Sequence, residues 1–249
     1  MSANGYFEEF VNRQAPGLTP SDRALMAVLS KVVQEIIRGG AVHWAGSHRK
    51  GTAIASSDRD VCVASLEPVT LVQRRDLRIA IGERLGRQAR ILSHVVRVDT
   101  TPSEPKVDIA FANAAFGSRP LPDPVPFSTF PARIFATRAL KLWTRAGGLP
   151  HVPGWALEAL VIALDRPAGK YDGLALFLRI VDWIAKAKPA DLEAILRPAV
   201  HPRWDPEWSP RVVGRLEALA NASRALARRA PQPASWKGAD DVRRWLTGQ

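Results

Sequence analysis

Five prolines between residues 120 and 131 divide this chain into two halves with different hydrophobic periods. Pro120, Pro122, Pro124, Pro126 and Pro131 each fix φ and remove a backbone donor, so neither a helix interior nor a central strand runs through them. Upstream, after one long amphipathic helix, apolar residues alternate as in half-buried strands; downstream they recur every three or four residues, as in helices. The expected fold class is α+β, a lobe built on a mixed sheet over residues 1–130 and an α-helical lobe over residues 131–249. At 249 residues the chain is long enough to bury a sizeable core.

In the first half, Thr19-Pro20-Ser21 starts a helix whose apolar face is Leu25, Met26, Leu29, Val32, Val33, Ile36 and Ile37, and Gly39-Gly40 ends it. A short strand is expected at 41–45, then a glycine-rich turn, a strand at 58–65, a basic helix at 69–88, and strands at 91–98 and 106–112. In the second half, helices are expected near 132–146, 154–165, 171–188, 209–229 and 239–247.

Between the first two strands lies GSHRKGTAIASSDRD, residues 46–60. Asp58 and Asp60 are separated by one residue, and on a strand that spacing points both carboxylates to one face. Two such carboxylates suit Mg²⁺. The small residues upstream let a backbone turn approach a polyphosphate, with free N–H groups and the Ser47 hydroxyl as donors. Phosphate donors on one side and metal ligands on the other describe nucleotidyl transfer. A third carboxylate is wanted on a neighbouring strand, and Asp108 in KVDIAFA fits better than Asp99, which ends the strand before it.

A net charge of +11, from 35 Lys plus Arg against 24 Asp plus Glu, favours polyanionic partners. The densest basic stretch, Arg74, Arg75, Arg78, Arg84, Arg87 and Arg90, is either a solvated helix face or the surface on which an RNA or DNA lies. Cys62 is the single cysteine, so no intrachain disulfide and no cysteine zinc site can form. The five histidines lack metal-ligand spacing; His48 alone is near enough to the turn to touch phosphate. Trp143 reads as core, and Trp204 and Trp208 as packing anchors. No apolar run approaches the ~18 residues of a membrane span, and the N-terminus lacks signal-peptide regions, so a cytoplasmic protein is expected.

The G-S, ten-residue, D-x-D arrangement followed by a strand with a lone aspartate resembles the DNA polymerase β superfamily of nucleotidyltransferases. RALKLWTRAGGLPHVPGWALEALV, residues 138–161, is similar to segments of oligoadenylate synthases and of the bacterial cyclic-oligonucleotide synthases related to cyclic GMP-AMP synthase. Asp205-Pro206 also resembles theirs. The resemblance implies that Gly46 and Ser47 bind a triphosphate and that Asp58, Asp60 and Asp108 hold Mg²⁺, with Mn²⁺ as a substitute. It implies that Lys141 reaches the phosphates and that Trp155 takes the place of an aromatic that stacks on a base. Gly154 departs from the pattern, which has a serine there.

The expected function is transfer of NMP from NTPs to a nucleotide hydroxyl, making cyclic or linear oligonucleotide signals, as in antiviral defence, with release of pyrophosphate. Two alternatives stand beside it. One is the same chemistry on a tRNA 3′ end or another macromolecule; the other is a nucleotide- or nucleic-acid-binding relative without turnover.

Overall fold

The computed structural model describes residues 1–15, 17–92, 95–101, 104–113, 125–146, 152–166, 168–196 and 216–249. Trp204, Asp205, Pro206 and Trp208 lie outside them, as do Pro120, Pro122 and Pro124. The chain forms two compact units, Pro16–Val125 and a second that joins Met1–Ala15 to Pro126–Gln249.

The first unit begins with the capping box that Thr19 predicts. Its hydroxyl accepts from the Asp22 N–H at 3.1 Å while the Asp22 carboxylate accepts from the Thr19 N–H at 3.0 Å, starting α2 (Pro20–Ile36). The chain then forms β1 (Ala41–Trp44), the short helix α3 (Gly46–Lys50), β2 (Arg59–Ser65) and α4 (Leu71–Leu85). The single strand expected at 91–98 is instead a tight antiparallel pair, β3 (Ala89–Ile91) and β4 (Val95–Val98), closed where the Leu92 N–H donates to the Val95 carbonyl at 2.9 Å. The unit ends with β5 (Val107–Asn113).

The five strands lie in the order β1-β2-β5-β4-β3, with β2 and β5 parallel and every other neighbouring pair antiparallel. Period two puts Val61 and Val63 of β2, Val96 and Val98 of β4, and Val107 and Ile109 of β5 on one face. There they pack in one core with Leu29, Val32 and Val33 of α2 and Leu77 and Ile81 of α4. Burying each such side chain contributes ~1.5–3 kcal/mol, which fixes the register of every strand. The opposite face is therefore left to Asp60, Cys62, Asp108 and Ala110.

The second unit is helical: α1 (Ala3–Arg13), the single turn α5 (Val125–Ser128), α6 (Pro131–Ala146), α7 (Gly154–Leu164), α8 (Gly173–Lys186), α9 (Pro189–Leu196), α10 (Leu216–Ala227) and α11 (Ala239–Thr247). Its core centres on Phe177, whose ring lies 5.7 Å from Phe7, 6.4 Å from Trp143 and 5.9 Å from Trp245. Trp143 is core, as its helical spacing implies.

The unit boundaries differ from 1–130 and 131–249 at the N-terminus. Phe7, Phe10 and Val11 of α1 are buried in the helical core, and the Leu174 N–H donates to Asn4 Oδ1 at 3.0 Å. The partners of that apolar stripe lie more than a hundred residues away, so no local pattern reveals them. No helix among the described residues is long and apolar enough to cross a membrane.

Candidate active site

The turn between β1 and β2 is shaped by one close approach. Gly46 has φ +51°, and a Cβ built on it would stand 2.0 Å from Asp60 Oδ2. Residue 46 is glycine because the Asp60 carboxylate occupies the space a side chain would fill. The Ala45 N–H donates to the Asp60 carbonyl at 2.8 Å, carrying the β1–β2 pairing up to that point. Gly46 and Ser47 then open α3, whose N-cap residue Ala45 has no side chain that could cap the first turn. The segment expected as a plain glycine-rich turn is thus a helical turn.

Asp60 and Asp108 are register partners on adjacent parallel strands, and Arg97 and Arg90 continue the same cross-sheet row through β4 and β3. All four residues share the face opposite the valine core. Arg97 grips Asp108 with a two-pronged fork, Nε to Oδ1 at 2.7 Å and Nη2 to Oδ2 at 2.8 Å. Hydrogen bonding to Asp108 is the largest influence on the Arg97 guanidinium and raises its pKa above the ordinary arginine value. Arg90 is held by Asp99, Nη2 to Oδ1 at 2.7 Å. Asp99, the weaker candidate in the sequence, is therefore engaged away from Asp60.

Asp58 lies just before β2 and is joined to Asp108 through Lys106, whose Nζ is 2.9 Å from Asp58 Oδ2 and 3.8 Å from Asp108 Oδ2. The structure brings Asp60 beside Asp108 and bridges Asp58 to Asp108 by an ammonium. Among the described residues no three His, Cys, Asp or Glu side chains already converge as a metal cage. The donor chemistry nonetheless fits a hard divalent cation: the donors are carboxylate oxygens, and a positive charge already stands between two of them.

Arg59, between the two aspartates of D-R-D, points to the other face. It is buried and donates from Nε to Asp22 Oδ1 at 2.7 Å, with the two side chains 9% and 5% exposed. Its Nη1 also donates to the Ser57 carbonyl at 3.1 Å and lies 3.4 Å from His48 Nε2. Burial pushes the Asp22 carboxyl up, but the hydrogen bonds from Arg59 and Thr19, with the Arg59 charge, outweigh it and hold the group below its ordinary 3.8. One arginine thereby ties the start of α2, the strand between the two aspartates and α3. Pattern reading missed it because the middle residue of D-x-D carries no signal by itself; a charge on the apolar face of β2 was the available clue. His48 stacks near Trp44, ring centroids 5.2 Å apart. Cys62 is buried, and burial pushes its thiol up, away from the thiolate form.

Lys141 and Trp155 belong to the helical unit. Lys141 is buried, its Nζ 3.4 Å from Glu158 Oε1, and a Cβ on Gly154 would lie 3.0 Å from Lys141 Cε and 3.2 Å from its Nζ. The space that a serine at 154 would use is bordered by the lysine itself. Trp155 is partly buried against the helical core.

Part of the arginine surface expected for RNA or DNA is used internally. Arg87 is 6% exposed, pairs with Glu104 at 2.9 Å and donates to the Asp99 and Pro105 carbonyls. Arg84 pairs with Glu35 at 2.6 Å, and Arg74 lies over the Phe111 ring at 4.9 Å. Arg75 is exposed and Arg78 half-buried, and the side chains of Arg84 and Arg90, although paired, stay 37% and 63% exposed. Arg87 lies just beyond α4 and beside the 99–105 segment, so it meets acceptors there before it meets solvent.

No protein-family model matches the chain, and no curated protein matches it by sequence. Solved structures are similar along nearly its whole length. The Cid1 poly(U) polymerase in a MgATP-bound form superposes with a TM-score of 0.67 at 13% identity, covering 93% of this chain and 96% of that one. The polymerase core of TRAMP, an RNA surveillance complex, gives 0.64 at 13%, covering 96% and 91%. The non-canonical poly(A) polymerase complex GLD-2–GLD-3 gives 0.63 at 14%, covering 98% and 97%. This is the polymerase β-like nucleotidyltransferase fold. Within that fold the carboxylate row stands on the β2–β5 pair, and Gly46 abuts it.

Proposed function

We propose that this chain is a divalent-metal-dependent nucleotidyltransferase that adds nucleotides from NTPs to the 3′-hydroxyl of an RNA. The observation that carries the reading is the pairing of Asp60 with Asp108 on parallel strands, with Gly46 held against Asp60 at the mouth of an uncapped turn. Asp58, Asp60 and Asp108 would hold Mg²⁺ or Mn²⁺; the bound ions would lower the pKa of the attacking hydroxyl and neutralise charge on the triphosphate. Gly46 and Ser47 would bind the triphosphate through the first turn of α3. Asp60 is oriented by contact with Gly46, Asp108 by the Arg97 fork, and Arg59 fixes the strand that carries Asp58 and Asp60.

An RNA end as acceptor is supported by the solved structures sharing the fold, which act on RNA as a cytoplasmic terminal U-transferase, a poly(U) polymerase and poly(A) polymerases. A cytoplasmic place of action belongs to this reading, supported by the terminal U-transferase of the same fold, which is a cytoplasmic enzyme. The segment at 138–161 that resembles oligoadenylate and cyclic-oligonucleotide synthases favours a second reading, in which the acceptor is another nucleotide and the product a signal. Incubating the chain with each labelled NTP and MgCl₂, with and without an RNA oligonucleotide, separates the two. Extension of the RNA supports the first; product formed equally without RNA supports the second. Lys141 and Trp155 remain candidates for nucleotide contacts, tested by the effect of their substitution on the KM for NTP.

A further inference from the structure

Lys106 stands two residues before Asp108, just ahead of the central strand β5, and its ammonium lies between two carboxylates, 2.9 Å from Asp58 and 3.8 Å from Asp108. Its side chain is 32% exposed, that of Asp58 48% and that of Asp108 17%, so the cluster opens to solvent and to ions in it. Arg97 adds a second positive charge to Asp108, taking one lone pair from each of its oxygens. The two cations differ in how firmly they are held. Arg97 is a planar fork on a neighbouring strand, bonded at two points, whereas Lys106 is a point charge on a flexible stem that can swing away without breaking a paired geometry.

We propose that Lys106 is a tethered counter-cation: it neutralises Asp58 and Asp108 in the metal-free protein, and a divalent ion must displace it to load the site. The inference rests on the reading of Asp58 and Asp108 as metal ligands. The ammonium and the incoming ion compete for the same carboxylate oxygens and repel each other, so Lys106 sets the metal concentration at which the site fills. Arg97 stays in place on loading and keeps Asp108 oriented. A role for Lys106 that is only structural would make the metal-free protein less stable on its removal but would leave metal affinity unchanged.

The test compares the full chain with its Lys106→Met and Lys106→Arg variants, titrated with MnCl₂ by calorimetry without nucleotide and melted with and without the metal. Lys106→Met is expected to bind Mn²⁺ about tenfold tighter, the order expected when one unit charge leaves the rim of a partly solvated site. It is also expected to melt lower than wild type without metal and to gain more from MnCl₂, while Lys106→Arg stays within about twofold of wild type because it keeps the charge. Equal or weaker Mn²⁺ binding by Lys106→Met overturns the proposal, as does the absence of binding in all three proteins. NTP incorporation by the wild type is read in parallel. Mn²⁺ binding without incorporation defeats the catalytic reading alone, and the affinity comparison still decides the role of Lys106.

Discussion

Gly46 and Asp60 are in contact: a Cβ on residue 46 would stand 2.0 Å from Asp60 Oδ2 and 2.7 Å from its Cγ. The turn that would bind phosphate and the strand that would bind metal therefore cannot be positioned independently. Any side chain at 46 must push Asp60 out of its row with Asp108 or move α3 away from β2.

Gly46→Ala is accordingly expected to do more harm to catalysis than to folding. The positive φ at this position costs a non-glycine residue ~1–2 kcal/mol, while a misplaced carboxylate can cost about 10²-fold in turnover. Thermal melts and nucleotide-incorporation rates on the same preparation measure both. Near-normal activity in a folded Gly46→Ala protein would show that Asp60 need not sit where it does.

Asp22 and Arg59 form a buried pair 2.7 Å apart, and removing one partner leaves the other charged in the interior. Arg59→Met is expected to destabilise by about 3 kcal/mol, measured by urea denaturation at neutral pH. The pair also gives an acid-sensitive contribution. The Asp22 carboxyl is held below its ordinary 3.8 in the folded protein, so its stabilisation is complete above that value and is lost as pH falls through the lowered one. In Asp22→Asn the acid limb of the stability profile should be shallower; an unchanged limb would remove Asp22 from the account.

Arg97 holds both oxygens of Asp108, and a lysine cannot reproduce that fork. Arg97→Ala should cost roughly 1.5–3 kcal/mol, the range for hydrogen bonds to a charged group, and Arg97→Lys should recover less than half of it. Because Arg97 acts through Asp108, kcat should fall with little change in KM for NTP. A change confined to KM would mean that Arg97 touches substrate directly.

Much of the arrangement around the candidate site is legible in the sequence because it depends on short-range rules. Period two placed Asp60 and Cys62 on the face opposite Val61 and Val63, and Thr19 announced the start of α2. What was not legible depends on which strands become neighbours. Arg97 meets Asp108 only because β4 pairs with β5 in one register, and Arg87 is absorbed only because it lies beside the 99–105 segment. Lys106 was visible two residues before Asp108, but its reach to Asp58 requires β2 and β5 to be parallel neighbours. The membership of α1 in the helical unit is the extreme case, since its partners are separated from it by the whole sheet unit.

In the helical unit, Lys141→Met takes the ammonium from a Glu158 that is 7% exposed and should destabilise by about 3 kcal/mol. Gly154→Ser places a side chain against the end of that lysine and should cost only about 1 kcal/mol, since the neighbour can shift. Melting temperatures of the two variants rank them; the reverse order would mean that Lys141 is not a packed ion-pair partner.

The central claim is tested most directly by incubating the purified chain with MgCl₂, each labelled NTP in turn, and an RNA oligonucleotide carrying either a free or a blocked 3′-hydroxyl, then resolving the products by length. Extension of the free-ended RNA, absent with the blocked end and absent in Asp60→Ala, is the predicted result. No extension with any NTP, or extension that survives Asp60→Ala, would contradict it.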